Sequence, residues 1–115
     1  MTLLRSLQII AIFGTILTGI VSLFWPRAVQ GFTGLTASSG RGITEIRSVL
    51  GGTFIGLGVA TLALRTTEVY LMLGVIYLAI GLVRAVSMVV DKSMERSNLI
   101  SLAVEILFGG ILVLK

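Results

Sequence analysis

Four long runs of apolar residues, separated by polar stretches, set the hydrophobic pattern of this chain. They cover about 7–25, 46–64, 69–90 and 97–114. Each run is close to the roughly 20 residues that an α-helix needs to cross the hydrocarbon core of a membrane. The pattern therefore predicts four membrane-spanning helices within one transmembrane domain, residues 1–115.

The polar stretches predict the connections. Residues 26–45 are predicted as a long glycine-rich loop, while Arg65–Glu68 and Asp91–Arg96 are short enough to be hairpin turns. Trp25-Pro26-Arg27 ends the first helix with an interfacial aromatic, a helix breaker and a charge. Four consecutive spans joined in this way predict an all-α, antiparallel up-down-up-down four-helix bundle with both termini on the same side of the membrane.

Composition supports a membrane protein. Only 12% of the residues are charged, against about a quarter in soluble domains, and the mean hydropathy is +1.09. The net charge of +4 does not indicate a nucleic-acid partner, because the cations stand at the ends of apolar runs. The expected partner is the lipid bilayer. The distribution of Lys and Arg slightly favours a cytoplasmic position for the loop 26–45.

The chain has no cysteine and no histidine. Disulfides, thiol chemistry and catalytic triads that require His are therefore excluded, and almost every zinc or copper site is excluded as well. The sequence predicts no metal site, no cofactor and no assigned catalytic residue.

Two charges lie deep inside the apolar runs. Arg84 precedes Val90 by six residues, which places it about 9 Å from that end of its helix. Glu105 follows Asn98 by seven residues, which places it about 10 Å from the adjoining end of the next helix. Because the two helices are joined by a short hairpin, the sequence predicts an intramembrane ion pair between Arg84 and Glu105.

Other polar residues extend this site at helical spacing. Polar side chains within spanning helices usually face the bundle interior or a water-filled cavity. We therefore expect a polar pocket that opens near the Asp91–Arg96 turn. The candidate ligand-binding residues are Glu45, Arg47, Tyr77, Arg84, Ser87, Asp91, Ser101 and Glu105.

A stripe of small residues marks the second predicted helix. Ser48, Gly52, Gly56 and Ala60 recur every four residues, a spacing that lets another helix approach closely. The stripe favours helix packing inside the bundle. The alternative is a homo-oligomer interface.

An ordered set of residues runs through the last three predicted helices: Glu45, Arg47, Gly51, Gly52, Gly56, Gly58, Gly81, Arg84, Ser87, Asp91 and Glu105. With this order and spacing, residues 43–115 resemble the bacterial four-helix membrane proteins catalogued as domain of unknown function 4345, and the whole chain resembles them in its number of helices. The resemblance implies an integral membrane protein, expected in the bacterial inner membrane, whose charged residues act as one set. It implies no known reaction. Lys92 departs from the small residue expected after Asp91.

Three classes of function are compatible with the sequence. The first is the binding of a small polar or amphipathic ligand, lipid-like and with an anionic group as one candidate, in a pocket around Arg84 and Glu105. The second is a structural or accessory subunit of a membrane complex. The third is a lipid-modifying enzyme with Glu105 as acid or base, and the sequence favours a non-enzyme. The Arg84–Glu105 pair itself has either a structural role, fixing helix register, or a role in binding.

Overall fold

The computed structural model describes residues 2–115, and this part of the chain is helical without strands. Its elements are α1 (Leu3–Phe24), α2 (Pro26–Thr33), α3 (Gly40–Glu45), a π-helical segment (Ile46–Gly51), α4 (Gly52–Leu64), α5 (Thr67–Val90) and α6 (Arg96–Val113). The elements from α3 to α4 form one long helix, Gly40–Leu64. This helix, α1, α5 and α6 are each long and apolar enough to cross a membrane. The predicted all-α fold with four spans is confirmed.

The predicted loop 26–45 is wrong for most of its length. Pro26 begins α2, where its missing N–H costs nothing, and Gly34 ends it with a φ of 78°. Ser39 caps α3 by accepting a hydrogen bond from the Gly42 N–H. Only residues 34–39 are non-helical here. The glycines that suggested a long loop act partly as helix ends.

The turn after α5 explains why a small residue is expected at position 92. The Ser93 N–H donates to the Met88 carbonyl at 3.0 Å, and Lys92 has a φ of 53°. This is a Schellman cap, in which the left-handed position is usually glycine. Lys92 therefore adopts a backbone conformation that favours glycine.

The chain divides into two packing units. The first contains the start of α1 up to Ala11, together with Leu64–Lys115. Within it, α5 and α6 are antiparallel, and a Cβ added at Gly74 would lie 3.0 Å from the Gly109 carbonyl oxygen. The Gln8 amide donates to the carbonyls of Ile111 and Leu114, at 3.1 Å each. The start of α1 therefore lies beside the end of α6, as predicted for termini on one side.

The second unit, Ile12–Ala63, contains the rest of α1 and the long helix Gly40–Leu64 up to Ala63. Within it, α1 and α4 run antiparallel and touch through glycines, since Gly19 lies against Gly51 and Ile55. The single domain predicted from the sequence stays a prediction.

Two hydroxyl-bearing residues in the second half of α1 are satisfied within their own helix. Thr18 and Ser22 donate their hydroxyl hydrogens to carbonyls four residues earlier, Gly14 and Thr18, at 2.9 Å each. These bonds satisfy the hydroxyls inside their own helix, a common arrangement for Ser and Thr in helices. The polarity of Thr18 and Ser22 is therefore accounted for by local hydrogen bonds.

Large apolar side chains cover the outside of the spanning helices. On α5, for example, Leu82 and Val83 are 68% and 66% exposed, and Val89 is also exposed. An apolar surface of this kind needs a non-aqueous neighbour. The spanning helices therefore contact the lipid bilayer.

Candidate functional site

The Arg84–Glu105 ion pair is the centre of the candidate site. Arg84 Nε donates to Glu105 Oε1 at 2.7 Å, and Arg84 Nη2 donates to Oε2 at 2.7 Å. A guanidinium and a carboxylate that meet through two parallel hydrogen bonds form the strongest common geometry of such pairs. The predicted ion pair between α5 and α6 is confirmed.

Asn98 completes the environment of Arg84. Its side-chain oxygen accepts from Arg84 Nη1 at 2.9 Å, while its amide nitrogen donates to the Ser93 carbonyl at 2.9 Å. The first turn of α6 is thereby connected both to Arg84 and to the α5–α6 turn. Three of the five guanidinium N–H groups have protein acceptors, so two remain for other partners.

The two members of the pair differ in burial. The side chain of Glu105 is 10% exposed, whereas that of Arg84 is 30% exposed. An unpaired charge at the Glu105 position would be costly, because little solvent reaches it. The buried Glu105 carboxylate therefore fixes the orientation of the Arg84 guanidinium. The edge of the guanidinium that carries the two remaining N–H groups is open to the surroundings.

An open groove of about 540 Å³ lies along this edge, within the first packing unit. Its polar side is formed by Arg84, Ser87, Asp91, Ser93 and Asn98, and its apolar side by Ala79, Ile80, Val83 and Met88. A surface with one polar and one apolar side matches an amphipathic molecule. The structure thus has a groove on α5 and the α5–α6 turn, and its role as the predicted ligand pocket stays a prediction.

The charges at the groove are not predominantly positive. The negative charge of Glu105 neutralises the positive charge of Arg84. The second ionisable side chain that lines the groove is the carboxylate of Asp91. Lys92 stands in the adjacent turn but does not line the groove. The site can therefore accept hydrogen bonds as well as donate them.

Besides Glu105, which pairs with Arg84, two predicted site residues of the first unit do not line the groove. Tyr77 is buried and packs edge-on against Phe108, with ring centroids 5.6 Å apart. Ser101 is half-buried on α6. Tyr77 contributes to the α5–α6 core, and a direct role for either residue in binding stays a prediction.

Glu45 and Arg47 belong to the second unit. Glu45 forms an ion pair with Arg41, one helical turn earlier, and both side chains are exposed. Arg47 is exposed in the π-helical segment. Their participation in one set with Arg84, Asp91 and Glu105 stays a prediction.

The stripe of small residues on the second span is exposed. Ser48, Gly52, Gly56 and Ala60 all lie at the surface. A Cβ added at Gly52 or Gly56 would meet no atom of the described chain within 4 Å. Close packing inside the second unit uses Gly51 and Gly58 instead, on another side of the same helix. The stripe is therefore open to a neighbouring molecule.

Sequence reasoning missed two contributors. Asn98 marked the end of the last predicted helix but was not predicted as a partner of Arg84, because its reach across the turn depends on side-chain geometry. Gln8 is 4% exposed, and its side-chain amide donates a hydrogen bond to the last turn of α6. A lone amide near the start of the first apolar run was the available signal.

Four helices able to span a membrane, with a buried ion pair between α5 and α6, define a small multi-pass membrane protein of unknown function. The chain belongs to the family described as Domain of unknown function (DUF4345), whose model matches residues 3–115. No curated protein and no solved structure matches the chain. The resemblance carried by the charged residues and glycines is thus confirmed, and it extends over α1 as well.

Proposed function

We propose that the protein binds a small amphipathic, lipid-like ligand in the groove beside the Arg84–Glu105 pair. The observation that carries the proposal is the combination of a polar side and an apolar side in one open groove on α5. An acyl chain would lie along Ile80 and Val83, and the polar group would lie near Arg84 and Asp91.

The charges around the groove limit which kind of polar group can bind there. Arg84 has two N–H groups left for an acceptor, whereas Asp91 offers an acceptor for a donor. Because Glu105 already balances Arg84, a purely anionic group gains little net attraction there. We therefore favour a zwitterionic or neutral polar group over the anionic group considered from the sequence.

We expect Val83→Trp to weaken binding of a short-chain monoacylglycerol, a lipid with a neutral polar group, at least about tenfold, because the indole fills the groove. Native mass spectrometry of the purified protein in mild detergent, titrated with this lipid, measures the change. The matched control is Leu82→Trp, an equally exposed neighbour that does not line the groove. Equal affinities of the two variants would contradict the proposal.

A second candidate is the structural or accessory role, which the exposed stripe of small residues favours. We expect Gly56→Leu to abolish any dimer or stable complex that uses this stripe, because the larger side chain prevents close helix approach. Size-exclusion chromatography with multi-angle light scattering checks this. If Gly56→Leu and wild type show the same assembly state, the stripe is not an interface.

A further inference from the structure

A second cavity lies within the first packing unit, lined by the ends of three helices. It has a volume of about 360 Å³. It is lined by Arg5 near the start of α1, by Thr67 and Tyr70 at the start of α5, and by Lys115 after α6. None of these residues lines the groove beside Arg84.

The charges of this cavity differ from those of the groove. Two positively charged side chains, Arg5 and Lys115, line the cavity. No acidic side chain of the described residues lines it. Glu68 follows Thr67 in the first turn of α5 but is exposed and does not line the cavity. The cavity is therefore suited to an anion.

Arg5 is held in place without a carboxylate. Its guanidinium lies over the ring of Tyr70, 5.2 Å from the centroid, and Tyr70 itself is 4% exposed. Such a cation–π contact orients the plane of the guanidinium but leaves its N–H groups available. Within residues 2–115 the Arg5 side chain makes no ion pair, in contrast to Arg84. A planar guanidinium with free N–H groups suits a phosphate group.

Gln8 adds an acceptor to the same cavity. Its amide nitrogen is used by the Ile111 and Leu114 carbonyls. Its side-chain oxygen accepts no hydrogen bond from the described residues. Gln8 lines the cavity, and this oxygen is the acceptor that its side chain can offer there. It can accept a hydrogen bond from a hydroxyl or ammonium group.

The start of α5 also favours the binding of an anion in this cavity. Thr67, which lines the cavity, is the first residue of this 24-residue helix. The first N–H groups of a helix lack acceptors within it and favour nearby anions. The Thr66 hydroxyl accepts from the Val69 N–H. The N–H groups of Thr67 and Glu68 are not needed for this cap.

We infer that this cavity binds a phosphate ester whose alcohol carries a hydroxyl or ammonium group. Arg5 and Lys115 bind the phosphate, and Gln8 accepts a hydrogen bond from the alcohol. The ester is either a phospholipid headgroup or a soluble molecule, and the chemistry of recognition is the same for both. This inference does not depend on the function proposed for the groove.

The test uses the full chain in phosphatidylcholine nanodiscs that contain phosphatidylglycerol, with bound lipid measured by native mass spectrometry after release. We expect Arg5→Gln to reduce retention of phosphatidylglycerol about tenfold. The matched control is Arg96→Gln, which removes the same charge from an exposed position outside the cavity. Val83→Trp should retain phosphatidylglycerol like wild type, which separates this site from the groove.

A competition experiment with a soluble phosphate ester shows whether the bound phosphate belongs to a lipid or to a soluble molecule. Glycerol 1-phosphate that displaces phosphatidylglycerol would assign a soluble ester, and no displacement together with selective lipid retention would assign a headgroup. If Arg5→Gln fails to fold, Lys115→Gln is used, with an expected reduction of about threefold. The inference is overturned if the cavity variant and Arg96→Gln lose equal amounts of lipid, or if neither probe binds wild type.

Discussion

Replacing Arg84 with alanine is expected to lower the free energy of unfolding by about 3 kcal/mol, because it leaves a buried carboxylate without its partner. Glu105→Ala is expected to cost less. The arginine that remains is more exposed, and its long side chain can extend towards the interface. Reversible unfolding in bicelles, followed by circular dichroism, measures both effects.

A double-mutant cycle distinguishes a direct pair from two independent losses. The double variant, Arg84→Ala with Glu105→Ala, should be about 2 kcal/mol more stable than the sum of the single effects predicts. Arg96→Ala, which removes an exposed arginine at the start of α6, should change stability by no more than about 0.5 kcal/mol. Strict additivity in the cycle would refute the energetic coupling of the pair.

Gly19→Ala is expected to destabilise the second unit by about 2 kcal/mol, through overpacking between α1 and α4. The added Cβ would lie 2.6 Å from the backbone nitrogen of Ile55 and 2.7 Å from the Gly51 carbonyl oxygen. Backbone atoms cannot rotate away as a side chain can, so the helices must separate. The same unfolding experiment measures the effect.

Gly56→Ala provides the matched control for this prediction. The substitution is chemically identical, but its Cβ would meet no atom of the described chain within 4 Å. Because alanine is the better helix former, stability should stay unchanged or rise by up to about 1 kcal/mol. If Gly19→Ala and Gly56→Ala change stability by the same amount, the helices leave room for a Cβ atom at Gly19 and the prediction is wrong.

The helices and the ion pair were predictable because they depend on spacing along the chain. The predicted third helix, 69–90, begins only two residues after the observed start at Thr67 and ends with it at Val90. Arg84 and Glu105 could be paired from the sequence, since a short hairpin fixes the relative depth of two antiparallel helices. Both inferences use only the constant rise of the α-helix.

Other features depend on which way side chains point, and the sequence did not determine them. Glycines that end α2 and begin α3 were interpreted as a loop, because a glycine-rich stretch suits both helix ends and flexible chain. Four small residues on the second span suggested internal packing, whereas the observed contacts use Gly51 and Gly58. The spacing of small residues identifies a helix face that allows close approach without showing what approaches it.

The π-helical segment Ile46–Gly51 gives the second span an angular offset. The Gly52 N–H reaches back five residues to the Arg47 carbonyl, and a π turn holds one more residue than an α turn. In an α-helix one residue corresponds to about 100° of rotation. Side chains on α3 therefore point in a direction that an uninterrupted helix would not give them. The charged Arg41–Glu45 end therefore faces a direction offset by about one residue's rotation from the direction that the glycines packed against α1 would otherwise give it.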